Sequence, residues 1–124
     1  MNLRRTGPLF LVVGLLTAAM GGGAVHAQQT VVLTASEFQF VPATITVPAG
    51  QPVTIQLTNR GQVPHNLHIE GPGVVFELVP GGINVAPGQT TSRTLTFTTA
   101  GVYTFWCPVA NHRLGGMSGT LTVP

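Results

Sequence analysis

Short runs in which apolar residues alternate with polar ones recur along this sequence, and they limit its fold more than any other feature. In Val53–Thr58, valine, isoleucine and leucine occupy every second position and threonine or glutamine the others. The same alternation recurs in Thr44–Val47 and Thr94–Thr98. A repeat of two residues is the period of a β-strand with one buried face. The pattern therefore predicts strands, and no window shows the helical period of about 3.6 residues.

Glycine and proline turns separate these runs from further β-rich runs. The additional predicted strands are Val31–Ala35, His65–Glu70, Val74–Val79, Val102–Cys107 and Gly119–Val123. The turn signals between strands are Pro48–Gly50, Gly71–Gly73, Gly81–Gly82, Pro87–Gly88 and Ala100–Gly101. Short strands at this spacing in about 100 residues are typical of a β-sandwich. We therefore predict one all-β domain over residues 28–124, a two-sheet Greek-key β-sandwich.

The first 27 residues have the three parts of a secretory signal peptide. Arg4 and Arg5 form a basic start, and the apolar run Pro8–Met20 follows them. Small residues come next, with Val25 and Ala27 at the −3 and −1 positions of a cleavage site. This pattern predicts a signal peptide over residues 1–27, cleaved after Ala27, and a protein in the periplasm or outside the cell.

An uncleaved N-terminal membrane anchor is the alternative. The apolar stretch Leu9–Val25 is 17 residues long, at the short limit for a membrane span, and glycines interrupt it. Cleavage is the preferred interpretation. Contact with a membrane is then expected only through a partner protein or through a retained signal.

Only eight of the 124 residues are charged, and this sparseness excludes several classes of protein. A disordered chain needs more charge and fewer apolar residues. A DNA- or RNA-binding protein needs a clustered basic face, so we expect no nucleic-acid partner. After cleavage, three arginines balance three glutamates, and the neutral chain has no strong field to attract partners over distance. We expect a monomer.

The chain has a single cysteine, Cys107, which cannot form a disulfide within its own chain. Cys107, His112 and Met117 fall within eleven residues, directly after the aromatic run Tyr103–Trp106. This segment is predicted to be a loop at one end of the sandwich, where functional groups are commonly displayed. One thiolate, two imidazoles and a weak axial thioether are the ligands of a blue copper site. A histidine from an earlier strand, His65, completes that set.

Two histidines lie in the earlier segment, and strand geometry favours one of them. In an extended His65–Glu70, the side chains of His65, Leu67 and Ile69 share one face, while His68 lies on the other. We therefore interpret His65 as the ligand and His68 as an exposed strand histidine.

These motifs resemble those of the cupredoxins, the family of plastocyanin, azurin and auracyanin. The resemblance covers essentially all of residues 28–124. It rests on Gly101–Cys107, Cys-x4-His-x4-Met, Val63–Asn66, Phe38-x-Phe40-x-Pro42 and Pro48–Gly50. It implies one copper ion, with His65, Cys107 and His112 as equatorial ligands and Met117 as the axial ligand.

The resemblance also implies roles for residues next to the ligands. Asn66 is expected to tie the two ligand loops together and to direct its backbone N–H at the thiolate, and the Val109 N–H is a second candidate donor. An apolar patch is expected over the copper, with the outer edge of His112 as the electron port, and its residues are Pro64, Pro108, Val109 and Leu114–Gly116. Trp106 is expected either to pack under a neighbouring loop or to contact a redox partner.

The expected function is that of a soluble one-electron carrier, cycling Cu(II)/Cu(I) between redox proteins such as a cytochrome, an oxidase or a reaction centre. It would not be an enzyme. The alternative is a copper-delivery or copper-buffering module, and a third possibility is a copper-free binding domain.

Enzymatic and zinc sites fit the sequence less well. A cysteine hydrolase would need Cys107, Asn111 and His112 in one loop, which gives poor triad geometry. The chain has no aspartate and only three scattered glutamates for a carboxylate-based hydrolase. A structural zinc site has no use for a thioether.

Overall fold

A computed structural model describes residues 29–124, and within them every regular element is a β-strand. The predicted signal peptide and its cleavage site lie outside the described residues. In chain order the strands are β1 Gln29–Ser36, β2 Gln39–Val41, β3 Thr44–Thr46, β4 Pro52–Asn59, β5 His68–Gly71, β6 Val74–Glu77, β7 Thr90–Thr96, β8 Gly101–Trp106 and β9 Ser118–Val123. Within the described residues, no helix is long and apolar enough to span a membrane.

The strands form two mixed sheets, which confirms the predicted two-sheet sandwich. One sheet has the order β2-β1-β4-β7 and the other the order β3-β9-β8-β5-β6. β1 runs parallel to β4, and β3 runs parallel to β9, whereas the other neighbours are antiparallel. The crossovers between the sheets bring distant segments of the chain together at the ends of the sandwich.

The apolar positions of the alternating runs face the interior. In β4, Val53, Ile55 and Leu57 are fully buried, while the polar residues between them are partly exposed. The largest fully buried side chains from the opposite sheet are Tyr103, Phe105, Ile69 and Leu121. Burying one such side chain contributes about 1.5–3 kcal/mol, so this core fixes the strands that carry the functional loops.

The predicted strand His65–Glu70 is shorter in the structure and begins at His68. Asn66 is fully buried, and its side chain makes hydrogen bonds that take the place of a regular ladder. His65 forms only an isolated bridge with Val85. The three-residue strand β2 was not predicted from the alternation, because so short a segment cannot display it.

Candidate metal centre

Three metal-binding side chains meet at one end of the sandwich. Cys107 directly follows β8, His65 forms the isolated β-bridge with Val85, and His112 lies in the segment before β9. Their ligand atoms all lie within 4.8 Å of one another. Cys107 Sγ is 3.8 Å from His65 Nδ1 and 3.4 Å from His112 Nδ1. The structure thus brings together the three predicted equatorial donors.

Backbone hydrogen bonds close residues 107–117, the Cys107 loop, onto the end of β8. The Cys107 N–H donates to the Met117 carbonyl at 3.1 Å, and the Met117 N–H donates to the His112 carbonyl at 3.2 Å. Gly116 has φ +99°, a conformation that side chains disfavour, and it turns the chain just before Met117. The fully buried Met117 is therefore held beside Cys107 and His112, as the spacing predicted.

The site is buried, and burial favours the neutral forms of Cys107 and His112. Burial raises the pKa of the Cys107 thiol, and the backbone N–H groups of Asn66 and Val109 oppose that rise by hydrogen bonding to the sulfur. Burial and the nearby His65 lower the pKa of His112, although Glu37 acts in the opposite direction. His65 and Cys107 are fully buried, and His112 is 9% exposed. A bound cation would favour the thiolate in this environment, because metal binding requires the deprotonated sulfur.

Asn66 makes only one of the two contacts expected of it. Its backbone N–H hydrogen bonds to the Cys107 sulfur. Its side-chain amide, however, donates to the carbonyls of Val79 and Ile83 at 2.9 and 3.2 Å and accepts from the Val79 N–H. The side chain therefore ties the His65 segment to the loop after β6, rather than to the Cys107 loop.

Glu37 is a site residue that the sequence reasoning missed. Its Oε1 lies 3.0 Å from His65 Nε2 and accepts hydrogen bonds from the N–H groups of Gln62 and Val63 at 2.8 and 3.1 Å. Desolvation acts to raise the pKa of Glu37, but these hydrogen bonds outweigh it and lower the pKa to about 2. Glu37 is 28 residues before His65 in the sequence, and no spacing rule links the two.

Phe38 is a second residue that sequence reasoning left out of the site. Its ring packs edge-on against His112, with the ring centroids 5.2 Å apart. The turn between β1 and β2 therefore supports both histidines, since Glu37 contacts His65 and Phe38 contacts His112. In the sequence, Phe38 drew attention only as part of the Phe38-x-Phe40-x-Pro42 motif, which carried the family resemblance and gave no role to this residue.

Exposed apolar side chains occur beside the ligands. Leu114, in the Cys107 loop, is 87% exposed, and Pro64, next to His65, is also exposed. Phe38 and Val63 are 47% and 37% exposed. We call Phe38, Val63, Pro64 and Leu114 the apolar patch. The sequence predicted Pro64 and Leu114 in it but not Phe38 or Val63. Of the other predicted patch residues, Pro108 is exposed and Val109 is half-buried.

Trp106 packs between side chains of its own molecule. The Arg113 guanidinium lies 3.7 Å from the centroid of the Trp106 ring, and the His68 ring centroid is 4.5 Å away. The prediction that His68 is exposed was wrong, since its side chain is only 17% exposed and its Nε2 lies 3.0 Å from Glu70 Oε1. Because Arg113, a residue of the Cys107 loop, covers the Trp106 ring, packing under this loop is favoured over contact with a redox partner as the role of Trp106.

The donor chemistry of this site fits copper. One thiolate and two imidazoles, with a buried thioether beside them, are the set that Cu(I) and Cu(II) accept in blue copper proteins. A structural zinc site would replace the thioether with a further thiolate or imidazole. Among residues 29–124, His65, Cys107 and His112 are the only group of three or more histidine, cysteine or carboxylate side chains close enough to hold a metal ion.

Comparisons with known proteins agree with this chemistry. Residues 9–123 match the family model of the cupredoxin-like domain. The chain is 34% identical to chloroplastic plastocyanin of Chlamydomonas reinhardtii over 81% of this chain and 70% of that protein. It is 31% identical to the copper-resistant cuproprotein CopI of Rubrivivax gelatinosus over 82% of this chain and 70% of that protein. Reduced auracyanin of Roseiflexus castenholzii has the same fold, with a TM-score of 0.65, 22% identity, and coverage of 80% of this chain and 99% of that one.

Proposed function

Because this chain belongs to the cupredoxin-like family, we propose that it is a blue copper protein that carries single electrons between redox partners. In this proposal His65, Cys107 and His112 bind one copper ion, and Met117 is the weak axial ligand. The bound copper would supply the redox chemistry by alternating between Cu(II) and Cu(I).

The observation that carries the proposal is the convergence of the three donor atoms within 4.8 Å in a buried site. The protein itself holds the donors in place, because hydrogen bonds fix the Cys107 loop and Glu37 holds His65. A site that is already in place needs little rearrangement when the charge on the metal changes. Burial also keeps water away from the sulfur.

His112 is the proposed electron port. It is the most exposed of the three donors, at 9%, and it lies beside the exposed ring of Phe38. With three arginines and three glutamates after residue 27, we expect docking through the apolar patch at short range rather than steering by charge. The partners are proposed to be redox proteins, and no substrate would be transformed.

We also propose that residues 1–27 direct export and are removed, which would place the protein in the periplasm or outside the cell. The basic start, the apolar run and the small residues ending at Ala27 support this. Intact-mass spectrometry of the protein made by an exporting host tests it. The expected mass is that of a chain beginning at Gln28, whereas a full-length chain in the membrane fraction would favour the anchor.

Addition of Cu(II) to the purified protein tests the electron-carrier proposal. We expect one equivalent to bind and to produce the intense visible absorption of a thiolate–copper bond, and a reductant should bleach it reversibly. Cys107→Ser should abolish the absorption. A colourless wild-type protein, or a serine variant with an unchanged spectrum, would refute the site.

A copper-delivery or copper-buffering role is the second candidate, and the 31% identity to a copper-resistant cuproprotein favours it specifically. The two roles differ in how firmly copper is held. A carrier should retain copper through repeated oxidation and reduction, whereas a delivery module should bind Cu(I) preferentially and release it to a competing chelator. Copper retained per protein after several redox cycles distinguishes them.

A further inference from the structure

We propose that Glu37 is a positioning residue that fixes the tautomer of His65 and, by its charge, favours the oxidised state of the proposed copper site. Only the effect on the oxidised state rests on the proposed function, because the tautomer of His65 is a property of the protein without metal.

The hydrogen bonds of Glu37 determine which nitrogen of His65 carries the proton. Glu37 Oε1 accepts from the N–H groups of Gln62 and Val63, which can only donate. The same oxygen lies 3.0 Å from His65 Nε2, so this nitrogen must be the donor in that contact. A neutral imidazole has one N–H, and His65 Nδ1 is therefore the bare nitrogen that faces Cys107 Sγ.

The surroundings of Glu37 are shaped around its carboxylate. Gly61 packs so closely against it that a methyl group at residue 61 would overlap Glu37 Oε1. Gly61 is itself held by the Asn59 side chain, which accepts the Gly61 N–H at 2.8 Å. The side chain of Glu37 thus occupies a defined place between residues 59–63 and the ring of His65.

The carboxylate also alters the charge balance of the site. The Cys107 thiolate and the Glu37 carboxylate together carry two negative charges. These balance the charge of Cu(II), whereas one negative charge remains unbalanced with Cu(I). Arg113, the arginine of the Cys107 loop, lies over the Trp106 ring. Glu37 is therefore expected to lower the reduction potential, since a carboxylate bonded to a ligating histidine also makes that ligand more basic.

The molecule contains a matched control. Glu70 makes the same 3.0 Å contact with Nε2 of His68, a histidine that is not among the metal-binding group. Glu37→Gln keeps an accepting oxygen but removes the charge, and Glu37→Ala removes both. Glu70→Gln makes the same charge change at the other pair.

The experiment has a readout without copper and a readout with copper. Nitrogen NMR of the imidazoles in the copper-free protein should show His65 protonated at Nε2 in the wild type and in Glu37→Gln, and a mixture of tautomers in Glu37→Ala. With copper, loss of such a partner is expected to weaken Cu(II) binding by about 10- to 100-fold. A tenfold loss for Cu(II) alone corresponds to a rise of about 59 mV in potential.

The potential should rise in both Glu37 variants and stay unchanged in Glu70→Gln. Glu37→Gln is close in shape to the native residue and keeps the test available if Glu37→Ala does not fold. Unchanged tautomers together with unchanged potentials in both Glu37 variants would overturn the inference, as would an equal shift in Glu70→Gln. A wild-type protein that binds no copper would refute the proposed function, and the copper-free spectra would still decide the role of Glu37.

Discussion

Two histidine–glutamate pairs in this molecule have the same distance between Nε2 and Oε1 and different surroundings. His65 and Glu37 are 3.0 Å apart at Nε2 and Oε1, and so are His68 and Glu70. In the first pair the histidine is fully buried and the glutamate 30% exposed, while in the second the values are 17% and 51%. Only in the first pair does the other ring nitrogen face the Cys107 sulfur. The histidine–glutamate contact alone therefore does not determine the role of the histidine, which depends on its burial and on the groups that its other ring nitrogen faces.

The surroundings of the two histidines explain the difference. His65 is held at the end of the sandwich by its bridge to Val85 and by Glu37. His68 lies within β5, opposite Trp106 in the ladder, and its ring packs on that side chain. One histidine is therefore placed toward a buried donor cluster and the other on the outer face of a sheet.

The largest expected difference is between His65→Ala and His68→Ala. Loss of His65 should remove one of three strong donors and abolish the visible absorption of the Cu(II) protein, with a fall in affinity exceeding about 100-fold, the upper range for loss of a residue behind a ligand. His68→Ala should keep both the absorption and the affinity. Copper titration followed by visible spectroscopy measures this, and equal effects of the two variants would erase the distinction between the pairs.

Asn66→Ala should have the next largest effect. Asn66 directly follows His65, so the substitution acts on the His65–Glu37 pair through the backbone. The buried amide makes four hydrogen bonds, with Leu67, Val79 and Ile83. Leaving buried partners unsatisfied costs about 1–3 kcal/mol each, and partial rearrangement leaves an expected loss of about 3 kcal/mol in the free energy of unfolding. Urea unfolding of the copper-free protein measures it. A loss below that of an exposed substitution such as Gln62→Ala would show that the Asn66 hydrogen bonds do not stabilise the fold.

A charge in the apolar patch should slow electron transfer without altering the site. Leu114→Glu would bury a carboxylate when two molecules meet, and a cost of about 1.4 kcal/mol corresponds to a tenfold lower rate. Electron self-exchange between reduced and oxidised protein, measured by NMR line broadening, needs no identified partner. Val75→Glu is the control, because Val75 is 78% exposed on β6, on the side of the second pair. Equal slowing by both variants would show that the patch is not the port.

The smallest expected effect is that of Glu70→Gln on stability. A partly exposed surface pair of this kind contributes about 0–1 kcal/mol, so the free energy of unfolding should change by less than about 1 kcal/mol. Thermal unfolding measures it. A larger loss would mean that the second pair is more than a surface contact.

The sandwich and most of the donor cluster could be predicted because each depends on residues close together in the sequence. Alternating runs, other β-rich runs and the turn signals between them identified most strands, and Cys107, His112 and Met117 lie in one loop after an aromatic strand. The start of β5 could not be predicted, because it depends on side-chain hydrogen bonds of Asn66 to a loop 13 to 17 residues away. Glu37 was missed for a similar reason. Its contact with His65 exists only because the turn after β1 meets the segment after β4, two strands that run parallel.

A crystal structure of the copper-loaded protein, with anomalous scattering measured at the copper absorption edge, tests the proposed copper site most directly. We expect one copper peak bonded to Nδ1 of His65, Sγ of Cys107 and Nδ1 of His112, with Met117 sulfur at a longer distance and Glu37 still bonded to His65 Nε2. A peak at His68 and Glu70 instead, or a copper ion without a bond to the Cys107 sulfur, would refute the proposed copper site.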